Sequence, residues 1–104
     1  MVFGTQTARP SAVVETPTNP TVTNLTVPLA NTEVSIAVVA VKKLSIRCRG
    51  TSEIKYAYIL GDSGVLYLTI PRGKCEEIDG INFTGTIYLQ TSEAAQVVEI
   101  SQWV

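Results

Sequence analysis

From Leu25 onward, apolar and polar residues alternate in short runs broken by turn residues. Leu25, Val27 and Leu29 share one side of the first run, and Pro28, which lacks a ladder donor, places it at a sheet edge. Asn31-Thr32 turns the chain into 33–41, where Val34, Ile36, Val38 and Ala40 occupy one face. After Lys42-Lys43, Leu44, Ile46 and Cys48 point inward while Ser45, Arg47 and Arg49 point out. Gly50-Thr51-Ser52 is a turn, and 54–60 reads as a strand with Tyr56 and Tyr58 on the face of Ile54. Gly61-Asp62-Ser63-Gly64 has the chemistry of a hairpin loop: glycine for positive φ, Asp and Ser for side-chain turn bonds. The chain returns over 65–70, turns at Pro71-Arg72-Gly73-Lys74, and forms a short strand at 75–78 ended by Asp79-Gly80. Gly85 precedes a strand over 86–90, 91–95 is a loop, and 96–104 closes the chain with Val98 and Ile100 on one face.

About eight short strands at 8–12-residue spacing, rich in Val, Ile and Thr and without a helical period, predict an all-β fold. The architecture expected is a two-sheet antiparallel β-sandwich over residues 25–104, with a jelly-roll-like topology. Residues 1–24 differ. Six threonines alternate there with Pro10, Pro17 and Pro20, and the charges are Arg9 and Glu15. Proline fixes its own φ, donates no hydrogen bond and biases its predecessor toward extended geometry. This segment reads as an extended N-terminal arm. Unlike a plain linker it carries apolar anchors, Val2, Phe3, Val13 and Val14.

Composition narrows the chemistry. The 104 residues are one domain's worth, 45% hydrophobic and 16% charged, enough to bury a core. The chain has no histidine, which removes Ser-His-Asp and Cys-His nucleophile systems and His-dependent metal sites. A net charge of −1 removes the electrostatic reason to expect nucleic-acid or membrane-surface binding. The longest apolar run, Ile36 to Val41, is six residues, against the ~20 that span a bilayer. The start MVFGTQTARP lacks the basic and apolar regions of a secretory signal, so the sequons at Asn24 and Asn82 are expected to go unused. Cys48 and Cys75 are too far apart for a CxxC motif. They read either as one bridge or as two small apolar fillers, and Cys48 favours the second by continuing the face of Leu44 and Ile46.

No residue combination specifies a chemical step. Glu76, Glu77 and Asp79 form the densest acidic cluster, but alternation puts two on one strand face, short of a calcium loop. The Gly61–Gly64 run lacks the lysine of a P-loop. Lys43, Arg47 and Arg49 fall on one side of a strand and predict a small positive stripe. Most of the aromatic residues, Tyr56, Tyr58, Tyr67, Phe83, Tyr88 and Trp103 among them, are expected in the core. Catalytic residues, cofactors and metals are therefore expected to be none.

The segment from about Leu44 to Val104 resembles a type of small virion structural protein of tailed bacteriophages. The residues that carry the resemblance are "KKLSIRCRG", "YAYILGDSGVLYLTIPRGKCEEIDGINFTGTIYLQ" and "AAQVVEISQW", with the threonine-rich lead "VTNLTVPLANTEVSIAV". These are turns and strands rather than chemistry. The resemblance implies a non-enzymatic capsid decoration (cement) protein on the virion surface, a homotrimer whose partner is the major capsid protein. The arm would then contact neighbours through Val2, Phe3, Arg9, Val13 and Val14, bridging capsomers. Two other readings stay open: a carbohydrate-binding or host-recognition module, which needs exposed aromatic rings, and a head-closure or tail component.

Overall fold

The computed structural model describes residues 19–104. They form eight strands: β1 (Thr21–Val27), β2 (Val34–Val41), β3 (Lys43–Cys48), β4 (Ile54–Ala57), β5 (Leu68–Ile70), β6 (Cys75–Ile78), β7 (Phe83–Thr91) and β8 (Gln96–Trp103). These divide into two four-stranded sheets, ordered β1-β8-β3-β6 and β2-β7-β4-β5, and every pairing is antiparallel. The fold is thus the expected all-β, two-sheet antiparallel sandwich. β4 and β5 are joined within one sheet, whereas every other connection carries the chain from one sheet to the other.

Alternation builds the core. Val27, Leu44, Ile46, Val98 and Ile100 from the first sheet meet Val38, Val41, Ile54, Tyr56, Ile70, Ile87 and Leu89 from the second. Nearly all are excluded from solvent, and each such aliphatic side chain stabilises the fold by roughly 1.5–3 kcal/mol relative to exposure. In the first sheet, Thr21, Gln102, Leu44 and Ile78 form one row across four strands. β1 therefore starts at Thr21, four residues inside the segment read as arm, because its backbone pairs with β8 from Gln102 onward.

Four local readings need correction. The strand expected over 54–60 stops at Ala57, and the one over 65–70 starts only at Leu68, because 58–67 leaves the sheet as a loop around a 3-10 turn at Asp62–Gly64. Asp79-Gly80 ends β6 as expected, and since β6 and β7 lie in different sheets the turn is a corner between layers. Gly85 lies within β7 rather than before it, and the ring of Phe83 folds over it, 2.8 Å from where a Cβ would stand. In β2 the expected face breaks after Val38, where the register with β7 shifts and Ala40 takes a φ of +50°. The Ala40 amide then donates to Thr84 Oγ1 at 2.8 Å instead of to the ladder, Val39 is left exposed and Val41 returns to the core.

Candidate functional site

The surface that sets this molecule apart is the loop between β4 and β5. Between Tyr56 and Pro71 the one charged residue is Asp62. Ile59, Leu60, Val65 and Leu66 expose 65%, 74%, 76% and 77% of their area, and Leu68 exposes 52%. Single exposed aliphatics are ordinary on a protein surface, but a cluster of this size in one loop is the usual mark of a contact site.

The loop is held in shape by its own backbone and by a distant carboxylate. Gly61 takes φ +86°, and the Asp62 carbonyl accepts from the amides of Val65 and Leu66, each at 3.0 Å. Glu33, just before β2, accepts from the Gly61 amide at 2.9 Å, the Ser63 amide at 3.2 Å and the Ser63 hydroxyl. Ser63 is fully buried and also lies 3.2 Å from Gln90 Oε1 on β7, itself buried although polar. The Ser63 hydroxyl is the main cause that holds the Glu33 carboxyl below its ordinary value of 4.5; partial burial opposes it, and the two amides add to the lowering. Apolar side chains are thus presented outward by a turn whose polar groups are satisfied from beneath.

The basic residues read as a stripe are on one outer face, but the stripe is neutralised. Arg47 and Arg49 both bind Glu99 on β8, at 3.0 and 2.8 Å, and Lys43 lies 4.0 Å from Glu77 and 5.0 Å over the Trp103 ring. The hydrogen bond from Arg49 is the leading cause that lowers the Glu99 carboxyl. Cys48 and Cys75 are free thiols. Cys75 pairs in register with Arg47, whose side chain faces out, so it sits on the opposite side of the sheet from Cys48. Cys48 is half-buried, 3.3 Å from Gln96 Oε1, as an apolar filler would be; Cys75 is exposed beside Ser45 and is not one. Among the described residues, no group of three His, Cys, Asp or Glu is placed to hold a metal ion.

Of the aromatic residues, Tyr56 is buried in the core, Phe83, Tyr88 and Trp103 are half-buried, and Tyr58 and Tyr67 are exposed. Burial is the first cause that raises the phenols of both Tyr56 and Tyr58 above the usual tyrosine value. The proposed arm contacts Val2, Phe3, Arg9, Val13 and Val14 lie outside the described residues.

Ser63 was readable as a turn residue, but its partners Glu33 and Gln90 were not signalled by the sequence, since they lie 30 and 27 positions away and belong to no motif. The apolar loop did leave a trace. Tyr58-Ile59-Leu60 and Val65-Leu66-Tyr67-Leu68 are unbroken apolar runs on either side of the turn, and a half-buried strand would have alternated there. The chain matches no protein-family model, no curated protein and no solved structure.

Proposed function

We propose that this chain is a non-enzymatic structural protein of a tailed-bacteriophage particle: a homotrimeric capsid decoration protein that binds the outer shell and bridges capsomers. The observation that carries this reading is the pinned apolar loop at 58–68. Contacts between permanently associated copies are more apolar than those between transient partners. A loop with five exposed aliphatic residues and one charge suits the first kind, so we assign it to contact between copies within the trimer. The base of the sandwich and the N-terminal arm remain for the shell. The mechanism is added buried area between capsid subunits, with no bond made or broken.

We further read the sandwich as a jelly roll. Strand orders 1-8-3-6 and 2-7-4-5, with the chain switching sheets at every connection but one, support two interlocked Greek keys. That topology leaves β1, β6, β2 and β5 as sheet edges, and symmetric association is a common way to cover edges. The carbohydrate-binding alternative has less support. It needs an open ring face, whereas Lys55 stands 4.9 Å over Tyr67, and Tyr58 packs edge-on to Phe83 at a centroid distance of 5.5 Å.

The test is co-sedimentation of the purified full chain with shells assembled from the major capsid protein of the same phage. Saturable binding that raises the shell's melting temperature is the expected result. A chain that stays in the supernatant at tens of micromolar overturns the decoration reading. A hexamer or dodecamer by native mass spectrometry would move the protein to the head-closure or tail reading.

A further inference from the structure

At one end of the first sheet an open cleft of about 190 Å³ lies between the end of β3 and the turn that precedes β6. Arg47 and Arg49 line it from β3, and Gly73, Lys74 and Cys75 from the turn, which is brought there by the register of Cys75 with Arg47. Pairing along the sheet covers the basic stripe but leaves charge over at this end. Arg47 and Arg49 share the one carboxylate of Glu99, and among the described residues Lys74 has no ion-pair partner. Three cations thus face one carboxylate, a local excess of two positive charges in a chain whose net charge is −1.

We propose that this cleft is a docking site for an acidic segment of a protein partner, bound in extended form with carboxylates at alternate positions. The nearest contact of each arginine with Glu99 runs through Nε, at 3.0 and 2.8 Å. Each guanidinium carries five donors, so its Nη edge is left to donate to a second planar acceptor. Both side chains are more than half exposed, and Gly73, where an added Cβ would meet nothing within 4 Å, leaves the approach open. Arg47 and Arg49 are two residues apart on a strand, a spacing of roughly 6.5–7 Å. Acids at alternate positions of an extended segment have the same spacing.

The exposure of the site decides between occupants. A small anion held on an open surface is screened by salt and gains little from each contact. A partner that covers the cleft excludes water, which strengthens the attraction and also makes an unpaired cation costly to bury. Such a partner must therefore bring carboxylates of its own, two of them to balance the local charge. The excess does not continue along the sheet, since Lys43 is paired with Glu77 and Arg72 with Glu93, so no track for a nucleic-acid backbone forms. This surface shares no residue with the loop at 58–68, and its test uses the isolated chain, so it stands or falls separately from the capsid reading.

The test is an NMR titration of the full chain, labelled with nitrogen-15, with a blocked heptapeptide in which serine and glutamate alternate. The amides of Arg49, Gly50, Gly73, Lys74 and Cys75 should shift together, with a dissociation constant on the order of 1 mM. Raising the salt from about 25 to about 150 mM should weaken binding several-fold. Lys74→Gln breaks no ion pair of the folded chain and should weaken it by about two- to fivefold, and Arg49→Gln by at least as much. The same peptide with glutamine for glutamate should leave the spectrum unchanged. No shifts at ten times the expected dissociation constant, equal shifts with the glutamine peptide, or an unaltered affinity in Lys74→Gln would each overturn the proposal. Inorganic phosphate that moves the same amides at equal or lower concentration would overturn the assignment to a protein segment and make the cleft a small-anion site.

Discussion

Glu33 accepts hydrogen bonds from Gly61 and Ser63, 28 and 30 residues further along the chain, and so converts a glycine-rich turn into a fixed platform. Replacing Ser63 by Ala removes the largest cause that lowers the Glu33 carboxyl and leaves Gln90 Oε1 without this donor. A hydrogen bond to a charged acceptor contributes about 1.5–3 kcal/mol, so Ser63→Ala should destabilise the fold by an amount of that order in urea unfolding. Carboxyl NMR titration should place Glu33 below 4.5 in the native protein and move it upward in the variant. The sign of the pH effect follows. A carboxyl lowered on folding contributes stability that is present above its unfolded value and lost as pH falls through its folded value. The protection factors of the Gly61 and Ser63 amides should therefore fall as pH drops through the lowered folded value of Glu33. Little of this was legible residue by residue. Gly61 was readable as a positive-φ position, and Asn31 at φ +54° is a residue type that tolerates it; Ala40 at φ +50° is not, and its conformation follows from Thr84 across the sheet.

At the scale of the element, alternation was the dependable signal and its failures share a cause. β3 and β8 sit centrally in their sheet, so their inward and outward residues follow the period of two throughout. The 58–67 segment defeats that logic because it leaves the sheet, so its apolar residues stand exposed on a loop instead of alternating between core and solvent. β2 defeats it because a bulge re-aims its last residues. Sequence likewise showed which residues of β3 point inward, but not that Glu99 and Glu77 from neighbouring strands would neutralise the outward basic ones. Pairing between strands distant in sequence is what local pattern does not carry. The same register separates the two thiols onto opposite faces of one sheet, which rules out a bridge within the native chain. Iodoacetamide labelling of the folded protein, read by mass spectrometry, should modify exposed Cys75 first and half-buried Cys48 at least several-fold more slowly. Air oxidation should produce no intrachain disulfide; any disulfide formed should join two chains through Cys75.

The whole molecule brings these pieces into one problem of exposed edges and exposed apolar area. A sandwich of two four-stranded sheets leaves four edges, and the 58–68 loop stands beside one of them, since Leu68 opens the three-residue edge strand β5. If copies associate through this loop, charge placed on it must undo the assembly without touching the core. Leu60 and Leu66 are suitable positions: both are about three-quarters exposed, and neither belongs to the core cluster or to the Glu33 clamp. Burying an unpaired carboxylate in an apolar contact is strongly unfavourable, whereas on a solvated loop the same group costs little. The double variant Leu60→Asp, Leu66→Asp should therefore keep the native circular dichroism spectrum and melt as a monomer near the subunit's own stability. The unaltered chain should appear as a trimer in native mass spectrometry, with a melting temperature that rises with protein concentration. A variant that remains trimeric would move the subunit contact to another face and leave the loop for the shell. A native chain that is monomeric at tens of micromolar would remove the trimer altogether, and with it the reason for assigning the loop to contact between copies.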